Sequence, residues 1–106
     1  MSSQLSILYT TFGSKEDAIR VPRDLLERHL IACANILEGM HSLYLWEEKL
    51  EENRETAVLL KTTPEKIPEL MTTLQKLHPY ETPALLEIPL NHTNAPFANW
   101  VQNCVR

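Results

Sequence analysis

The pattern of apolar and polar positions is most informative in the middle of the chain, where two apolar runs flank a charged segment. The apolar runs are Leu43–Trp46 and Ala57–Leu60, and Glu47–Glu55 lies between them. This arrangement predicts an antiparallel hairpin. Neither run alternates apolar with polar residues, as a strand with one solvated face would, so both faces of the hairpin are predicted to be covered. A chain of 106 residues has few helices for two faces, so we expect other subunits to cover the second.

The entry to the hairpin and its turn can also be predicted. The apolar segment Ile31–Leu37 leads into the first hairpin strand through Gly39, which predicts a bend or bulge near Glu38 and Gly39. The charged connector contains neither Gly nor Asn-Gly, the residues that tight two-residue turns favour. We therefore expect a longer loop around Glu51–Asn53.

The first part of the chain predicts a strand and a helix. Leu5–Phe12 is rich in Ile, Leu, Tyr and Thr and is typical of a strand. Ser14 is a helix cap with an acidic residue three positions later, and apolar residues then recur with a helical period. Pro22 interrupts this helix. Either the helix kinks there, or its regular part begins near Val21.

The second part predicts two helices and a strand. A helix is expected to begin at Thr63 and to end before Pro79, which places His78 at the carboxyl end, where the helix dipole would favour a positive imidazolium. The segment Pro83–Leu90 predicts a strand, and its prolines suit an edge or a strand end. A last helix is expected after Asn94.

The predicted order is therefore strand, helix, strand, strand, helix, strand, helix. Two βαβ halves joined by a long central hairpin predict an α+β fold of the ferredoxin-like, split βαβ type, with helices on one face of a four-stranded antiparallel sheet and an extra C-terminal helix. The length fits one domain over residues 1–106.

Composition narrows the function classes. Hydrophobic residues make up 43% of the chain, as in a globular protein, and the net charge of −4 gives no support for nucleic-acid binding. The two cysteines, Cys33 and Cys104, have no disulfide-framework or CxxC spacing, which indicates a reducing compartment. We see no signal peptide and no apolar run of membrane-spanning length, so we expect a cytoplasmic protein that is not bound to a membrane.

The densest group of chemically active side chains is the segment His78–Pro83. Two prolines make this loop rigid, and it carries an imidazole, a phenol and a carboxylate within four residues. The loop is either a helix stop followed by a strand entry or one wall of a small polar pocket. The other wall would then come from one of four residues: Trp46, Glu47, Lys49 or Lys61.

Five segments together resemble the CutA family of divalent-cation tolerance proteins. They are Ala32–Ile36, Ser42–Glu52, Leu59–Thr62, Leu77–Pro83 and Asn94–Val101. Their order and spacing fit the family over nearly the whole chain, and the Trp-Glu and His-Pro-Tyr-Glu blocks are its most specific features. Glu48 stands where the family usually has Gly, which calls a tight bend at that point into question.

The resemblance implies a homotrimer of ferredoxin-like subunits, in which the hairpins pair with neighbouring subunits and clefts lie between them. It implies tolerance of copper or other divalent cations, with no obligatory cofactor. The residues that it places in the cleft are Cys33, Asn35, Trp46, Glu47, Lys49, Lys61, His78, Tyr80 and Glu81. Among these, Cys33 and His78 are the predicted copper ligands, with Glu47 or Glu81 as oxygen donors.

Two further interpretations stay open. Cys33 lies between two alanines, which is also typical of a buried, inert thiol. The family resembles the PII signalling proteins, so the clefts could instead bind a small anion or a partner protein through Trp46, Lys49, Lys61 and Tyr80. No group of residues defines a reaction type, so we do not expect an enzyme.

Overall fold

The computed structural model describes residues 4–106. Four strands and three helices follow one another in the predicted order, with a 3₁₀ turn at Pro64–Lys66 before the second helix. The elements are β1 (Ser6–Phe12), α1 (Lys15–Glu27), β2 (Cys33–Trp46), β3 (Lys49–Thr62), α2 (Ile67–Leu77), β4 (Leu86–Pro89) and α3 (Ala95–Cys104). The regular helix after Thr63 therefore begins three residues later than the capping pattern suggests.

The strands form one antiparallel sheet in the order β2-β3-β1-β4. This arrangement confirms the predicted α+β, split βαβ plan. β4 lies at an edge of the sheet, which agrees with the prolines around it. It is shorter than the predicted strand Pro83–Leu90, because only Leu86–Pro89 pair with β1.

One face of the sheet is covered by α1 and α2. Alternate residues of β1, among them Leu8 and Phe12, are fully buried there with the apolar stripes of both helices. Ser14 caps α1 by accepting a hydrogen bond from the amide of Asp17, as predicted. α1 runs from Lys15 through a buried Pro22 without interruption, so the alternative in which its regular part begins near Val21 is wrong.

α3 does not join the other two helices. It packs at one end of the opposite face, where Ala98 and Val101 bury Leu5, and the ammonium of Lys61 lies 5.5 Å from the centre of the Phe97 ring. The expectation that the helices share one face therefore holds for α1 and α2 only. Elsewhere on the opposite face the large apolar side chains of Leu37, Leu86 and Ile88 are exposed.

The hairpin of β2 and β3 contains the predicted bulge but not the predicted loop. The pairing register shifts between Leu37 and Met40, and Gly39 adopts a left-handed backbone with φ of 78°. The strands then continue to a tight two-residue turn at Glu47 and Glu48, whose φ values are 50° and 66°. The longer loop expected around residues 51–53 is wrong, because those residues are paired in β3.

The outer part of the hairpin exposes large apolar side chains on both of its faces. Leu45 and Leu50 lie opposite each other and are 73% and 74% exposed, and Trp46 is 54% exposed. Of the two non-alternating runs, only Leu43–Trp46 is uncovered on both faces within a single chain, whereas Ala57, Val58 and Leu60 are buried by the chain itself. Such a surface is typical of an interaction site.

Candidate functional site

A groove of about 1090 Å³ lies where the hairpin leaves the body of the sheet. We call it the hairpin groove. The part of the hairpin between the bulge and the turn forms one wall, and the loop after α2 forms the other. The residues that line it are Tyr9, Thr11, Gly13, Met40, His41, Ser42, Leu43, Tyr44, Trp46, Glu51, Asn53, Arg54, Glu55, Tyr80, Glu81, Thr82 and Ala84.

The carboxylate of Glu55 lies at the base of the hairpin groove and accepts three hydrogen bonds. The bulge in β2 sets Met40 opposite Glu55, so that Ser42 reaches the same carboxylate. One oxygen accepts from the Ser42 hydroxyl at 2.6 Å, and the other accepts from Tyr80 at 2.8 Å and Thr11 at 3.1 Å. Four separate elements or loops therefore meet at a single carboxylate.

These contacts determine the charge of the site. Partial burial by itself would raise the pKa of Glu55, but the hydrogen bonds from Ser42, Tyr80 and Thr11 outweigh it and lower that pKa below its ordinary value of 4.5. The pKa of Tyr80 is raised, first by burial and then by its hydrogen bond to Glu55. At neutral pH the groove therefore holds an ionised carboxylate beside a neutral phenol.

His78 is buried and neutral, contrary to the expectation of an imidazolium favoured by the helix dipole. Burial lowers its pKa, and the opposing effects of the Thr11 carbonyl, Asp17 and Glu55 are smaller. The His78 Nε2–H donates to the Thr11 carbonyl at 2.9 Å, since a carbonyl can only accept, and Nδ1 accepts from the amide of Tyr80 at 3.1 Å. Both ring nitrogens are thus engaged within the protein.

The close packing around the Tyr80 hydroxyl explains why residue 13 is a glycine. A Cβ atom at this position would lie 3.2 Å from the hydroxyl oxygen, closer than most Cβ contacts. Glycine therefore leaves room for the phenol to reach Glu55.

The nine predicted site residues fall into separate places. Trp46, Tyr80 and Glu81 line the hairpin groove, and His78 lies directly behind Tyr80. Glu47 and Lys49 lie at or beside the hairpin turn. The other three residues lie on the sheet face opposite α1 and α2, which α3 covers at one end: Cys33, Asn35 and Lys61.

The predicted ligand pair, Cys33 and His78, is not brought together within one subunit. Cys33 is paired with Lys61 and points to the same face as that residue, whereas His78 stacks on Phe12 beneath α1 and α2. His78 contacts Thr11, which is paired with Ala57 of β3. Ala57 lies four residues from Lys61 along that strand, a distance of roughly 13 Å. A metal ion bound by both residues would have to join different subunits.

The surroundings of Cys33 fit a partly buried thiol. Burial raises the pKa of Cys33, and the positive charge of Lys61 opposes this shift. Cys33 and Cys104 are both free and partly exposed. Within residues 4–106, no group of three or more His, Cys, Asp or Glu side chains is arranged to hold a metal ion.

Glu55 is the site residue that sequence reasoning missed. Glu55 belongs to the charged segment Glu47–Glu55, which was predicted to connect the two hairpin strands. Within that segment nothing distinguished it from the other glutamates. Its partners, Thr11 and Ser42, are small polar residues whose role depends on the register of three strands. The available signal was the bulge predicted at Gly39, because a bulge often redirects a side chain next to a functional site.

Known proteins share both the sequence pattern and the fold of this chain. The sequence profile of the family described as CutA1 divalent ion tolerance protein matches residues 6–104. The chain belongs to the CutA1 family. Its helices and strands are also those of solved CutA1 proteins, so both the fold and the family predicted from the sequence are confirmed.

Individual CutA1 relatives agree closely with this chain. The divalent-cation tolerance protein CutA of Thermococcus kodakarensis is 43% identical over 95 residues, 90% of each chain. The crystal structure of divalent ion tolerance protein CutA1 from Ehrlichia chaffeensis is 43% identical, covers 94% of each chain and has a TM-score of 0.91. The structure from Archaeoglobus fulgidus, 34% identical with a TM-score of 0.92 over 96% of this chain and 99% of its own, is called a periplasmic divalent cation tolerance protein.

The family name describes divalent ion tolerance rather than a chemical reaction. Within residues 4–106, no helix is long and apolar enough to span a lipid bilayer. The ionised carboxylate of Glu55 in the groove and the divalent ion tolerance of the family both fit an interaction with cations.

Proposed function

We propose that this CutA1 protein binds a divalent cation, with copper as the first candidate, in clefts that form when three copies of the chain assemble. The observation that carries the proposal is the ionised Glu55 at the base of an open groove. Two further carboxylates, Glu51 and Glu81, line the same groove. Carboxylate oxygens bind divalent cations directly, and Cu(II) accepts mixed oxygen and nitrogen ligands.

Assembly as a homotrimer is supported by the apolar surface of the hairpin. Leu43, Leu45, Trp46 and Leu50 are all more than half exposed in the isolated chain. Full burial of such a side chain stabilises an assembly by roughly 1.5–3 kcal/mol. Neighbouring hairpins that cover these residues would also close the hairpin groove into a cleft between subunits.

The ligand set in this proposal centres on Glu55. Glu81 shares the groove, and Glu47 lies at the hairpin turn, where it would meet a neighbouring subunit. Cys33 would contribute only if a neighbouring subunit brought another groove to the sheet face opposite α1 and α2. Partners other than copies of the chain and the cation are not required.

Titration calorimetry with Cu(II) tests the proposal. We expect Glu55→Gln to weaken binding at least tenfold, because it removes the charged oxygen while keeping the shape of the side chain. Glu65→Gln is the matched control, since Glu65 is an exposed carboxylate on the 3₁₀ turn outside the groove. Cys33→Ala tests the thiol separately. Equal affinity in the wild type and Glu55→Gln would contradict the proposal.

A second function, PII-like binding of a small anion or a partner protein, is favoured by the aromatic walls of the groove. Tyr44, Trp46 and Tyr80 line it together with the guanidinium of Arg54. Lys49 and Lys61, the cations first assigned to this role, lie outside the groove lining of residues 4–106. An anion would therefore be held by Arg54 and by stacking.

A thermal-shift screen with divalent metal salts and anionic metabolites separates the two functions, because a tightly bound ligand raises the melting temperature by mass action. We expect Cu(II) to raise it in the wild type more than in Glu55→Gln. A metabolite that raises it while every metal leaves it unchanged would favour the signalling role.

We also propose that the protein acts in the cytoplasm and as a binding protein rather than an enzyme. The two free, widely spaced cysteines support a reducing compartment. Fractionation of cells with an antibody against the chain tests the location, and recovery in a periplasmic fraction would contradict it.

A further inference from the structure

The imidazole of His78 is packed between two aromatic rings. It stacks on Phe12 with 4.3 Å between ring centres and an angle of 9° between the planes, and the Tyr80 ring lies 4.9 Å away on a tilted plane. Only 7% of the residue is exposed. Stacking therefore fixes the plane of the imidazole.

Hydrogen bonds fix the rotation of the His78 imidazole within that plane. The Nε2–H points at the Thr11 carbonyl at 2.9 Å, and the Thr10 hydroxyl lies 3.1 Å from the same nitrogen. The Nδ1 lone pair accepts from the backbone amide of Tyr80. The ring is thereby held to the end of β1 on one side and to the loop after α2 on the other.

This connection determines where the Tyr80 hydroxyl lies. Tyr80 follows His78 by two residues, and the anchored amide together with the ring contact sets its side chain toward the groove. The hydroxyl then donates to Glu55 at 2.8 Å. A chain of direct contacts thus runs from β1 through the imidazole and the phenol to the carboxylate.

We propose that His78 is a positioning residue for the cation site, which holds Tyr80 so that its hydroxyl orients Glu55, and that His78 does not coordinate the cation. This inference rests on the proposed cation-binding function. As a ligand, His78 would have to release either the Thr11 carbonyl or the Tyr80 amide. The first change would leave a buried carbonyl and the second a partly buried amide without its hydrogen-bond partner, and both are unfavourable.

Nitrogen-15 NMR of the histidine-labelled protein gives a direct test, with diamagnetic Zn(II) as the probe. We expect His78 in the free protein to be the neutral tautomer with the proton on Nε2, and we expect its two nitrogen shifts to stay unchanged when Zn(II) saturates the protein. Loss of the Nε2 proton, or a shift of either nitrogen to the metal-bound range, would overturn the proposal.

Variants supply a second readout, the Zn(II) affinity. Tyr80→Phe and His78→Ala should each weaken Zn(II) binding about tenfold, the usual effect of removing a group that orients a metal ligand. The double variant should lose no more than Tyr80→Phe alone, because His78 acts through Tyr80. His78→Gln should recover most of the affinity, since an amide can both donate to Thr11 and accept from Tyr80.

Controls make the outcomes distinguishable. His92→Ala, at an exposed histidine on the loop after β4, should leave the affinity unchanged. Additive losses in the double variant would overturn the positioning role while leaving cation binding intact. If the wild-type protein takes up no Zn(II) or Cu(II), the cation-binding function itself fails, and the positioning role with it. The NMR test uses the wild type, so it stands even if His78→Ala does not fold.

Discussion

At the scale of single residues, the main feature is a carboxylate that the protein keeps ionised in a partly buried place. Glu55 accepts hydrogen bonds from three hydroxyl groups, and together these outweigh the unfavourable effect of burial on its charge. Neutral hydroxyl donors can turn toward the carboxylate or rearrange when another charge arrives. These hydroxyl groups therefore keep Glu55 negatively charged without using a positively charged side chain of the protein.

The lowered pKa of Glu55 predicts a dependence of stability on pH. A carboxyl group whose pKa is lower in the folded state stabilises the fold above its unfolded value, here 4.5, and that contribution is lost as the pH falls through the folded value. Without metal ions, Glu55→Gln should thus be less stable than the wild type at pH 7, and the difference should shrink below pH 4.5. Urea denaturation across this range measures it, and a constant difference would contradict the assignment.

The same scale shows why the site was only partly predictable. The His78–Pro83 loop was recognisable because its imidazole, phenol and carboxylate are close in sequence, and Tyr80 and Glu81 do line the groove. Glu55 depends on strand register and on a hydroxyl from β1, which no local pattern contains. The charge of His78 was misjudged because its helix-end position was visible in the sequence but its burial against Phe12 was not.

At the scale of secondary-structure elements, the hairpin determines the geometry of the groove. Its bulge redirects β2 before the strands continue, and its turn is built from two glutamates with left-handed backbone angles. The order of strands and helices was predictable from hydrophobic periods and capping residues. The turn was not, because tertiary pairing of the long strands overrides the usual preference for Gly or Asn at such positions.

This turn predicts a stabilising substitution. Left-handed backbone at a residue other than Gly is strained, and Glu48 has φ of 66°. We expect Glu48→Gly to raise the free energy of unfolding by about 0.5–1 kcal/mol, after allowance for the greater flexibility of Gly in the unfolded chain. Chemical denaturation measures the change.

The matched control lies in the same hairpin. Glu52→Gly makes the same chemical change at a residue paired with Leu43 in β3, where glycine weakens a strand, and it should lower the stability. The interpretation of the turn would be wrong if both variants were destabilised to the same extent.

At the scale of the whole molecule, the main feature is the apolar surface that one chain leaves uncovered. The outer hairpin exposes apolar residues on both of its faces, and the sheet face opposite α1 and α2 exposes Leu37, Leu86 and Ile88. The pattern of apolar residues predicted a hairpin with two covered faces, but the run Ala57–Leu60 is covered by the chain itself and only Leu43–Trp46 is left exposed on both faces. The number of copies in the proposed assembly, and the surfaces that would meet in it, depend on shape complementarity between chains, which hydrophobic patterning does not describe.

The decisive measurement is sedimentation equilibrium of the metal-free protein at micromolar concentration. We predict a single species with about three times the 12.2 kDa mass of the chain, and dissociation when Leu45→Asp is combined with Leu50→Asp on the hairpin. Glu65→Gln, outside the hairpin, should keep the mass of the wild type. A folded wild-type protein that sediments at the mass of one chain would contradict the account, because the grooves would then have no neighbours to close them.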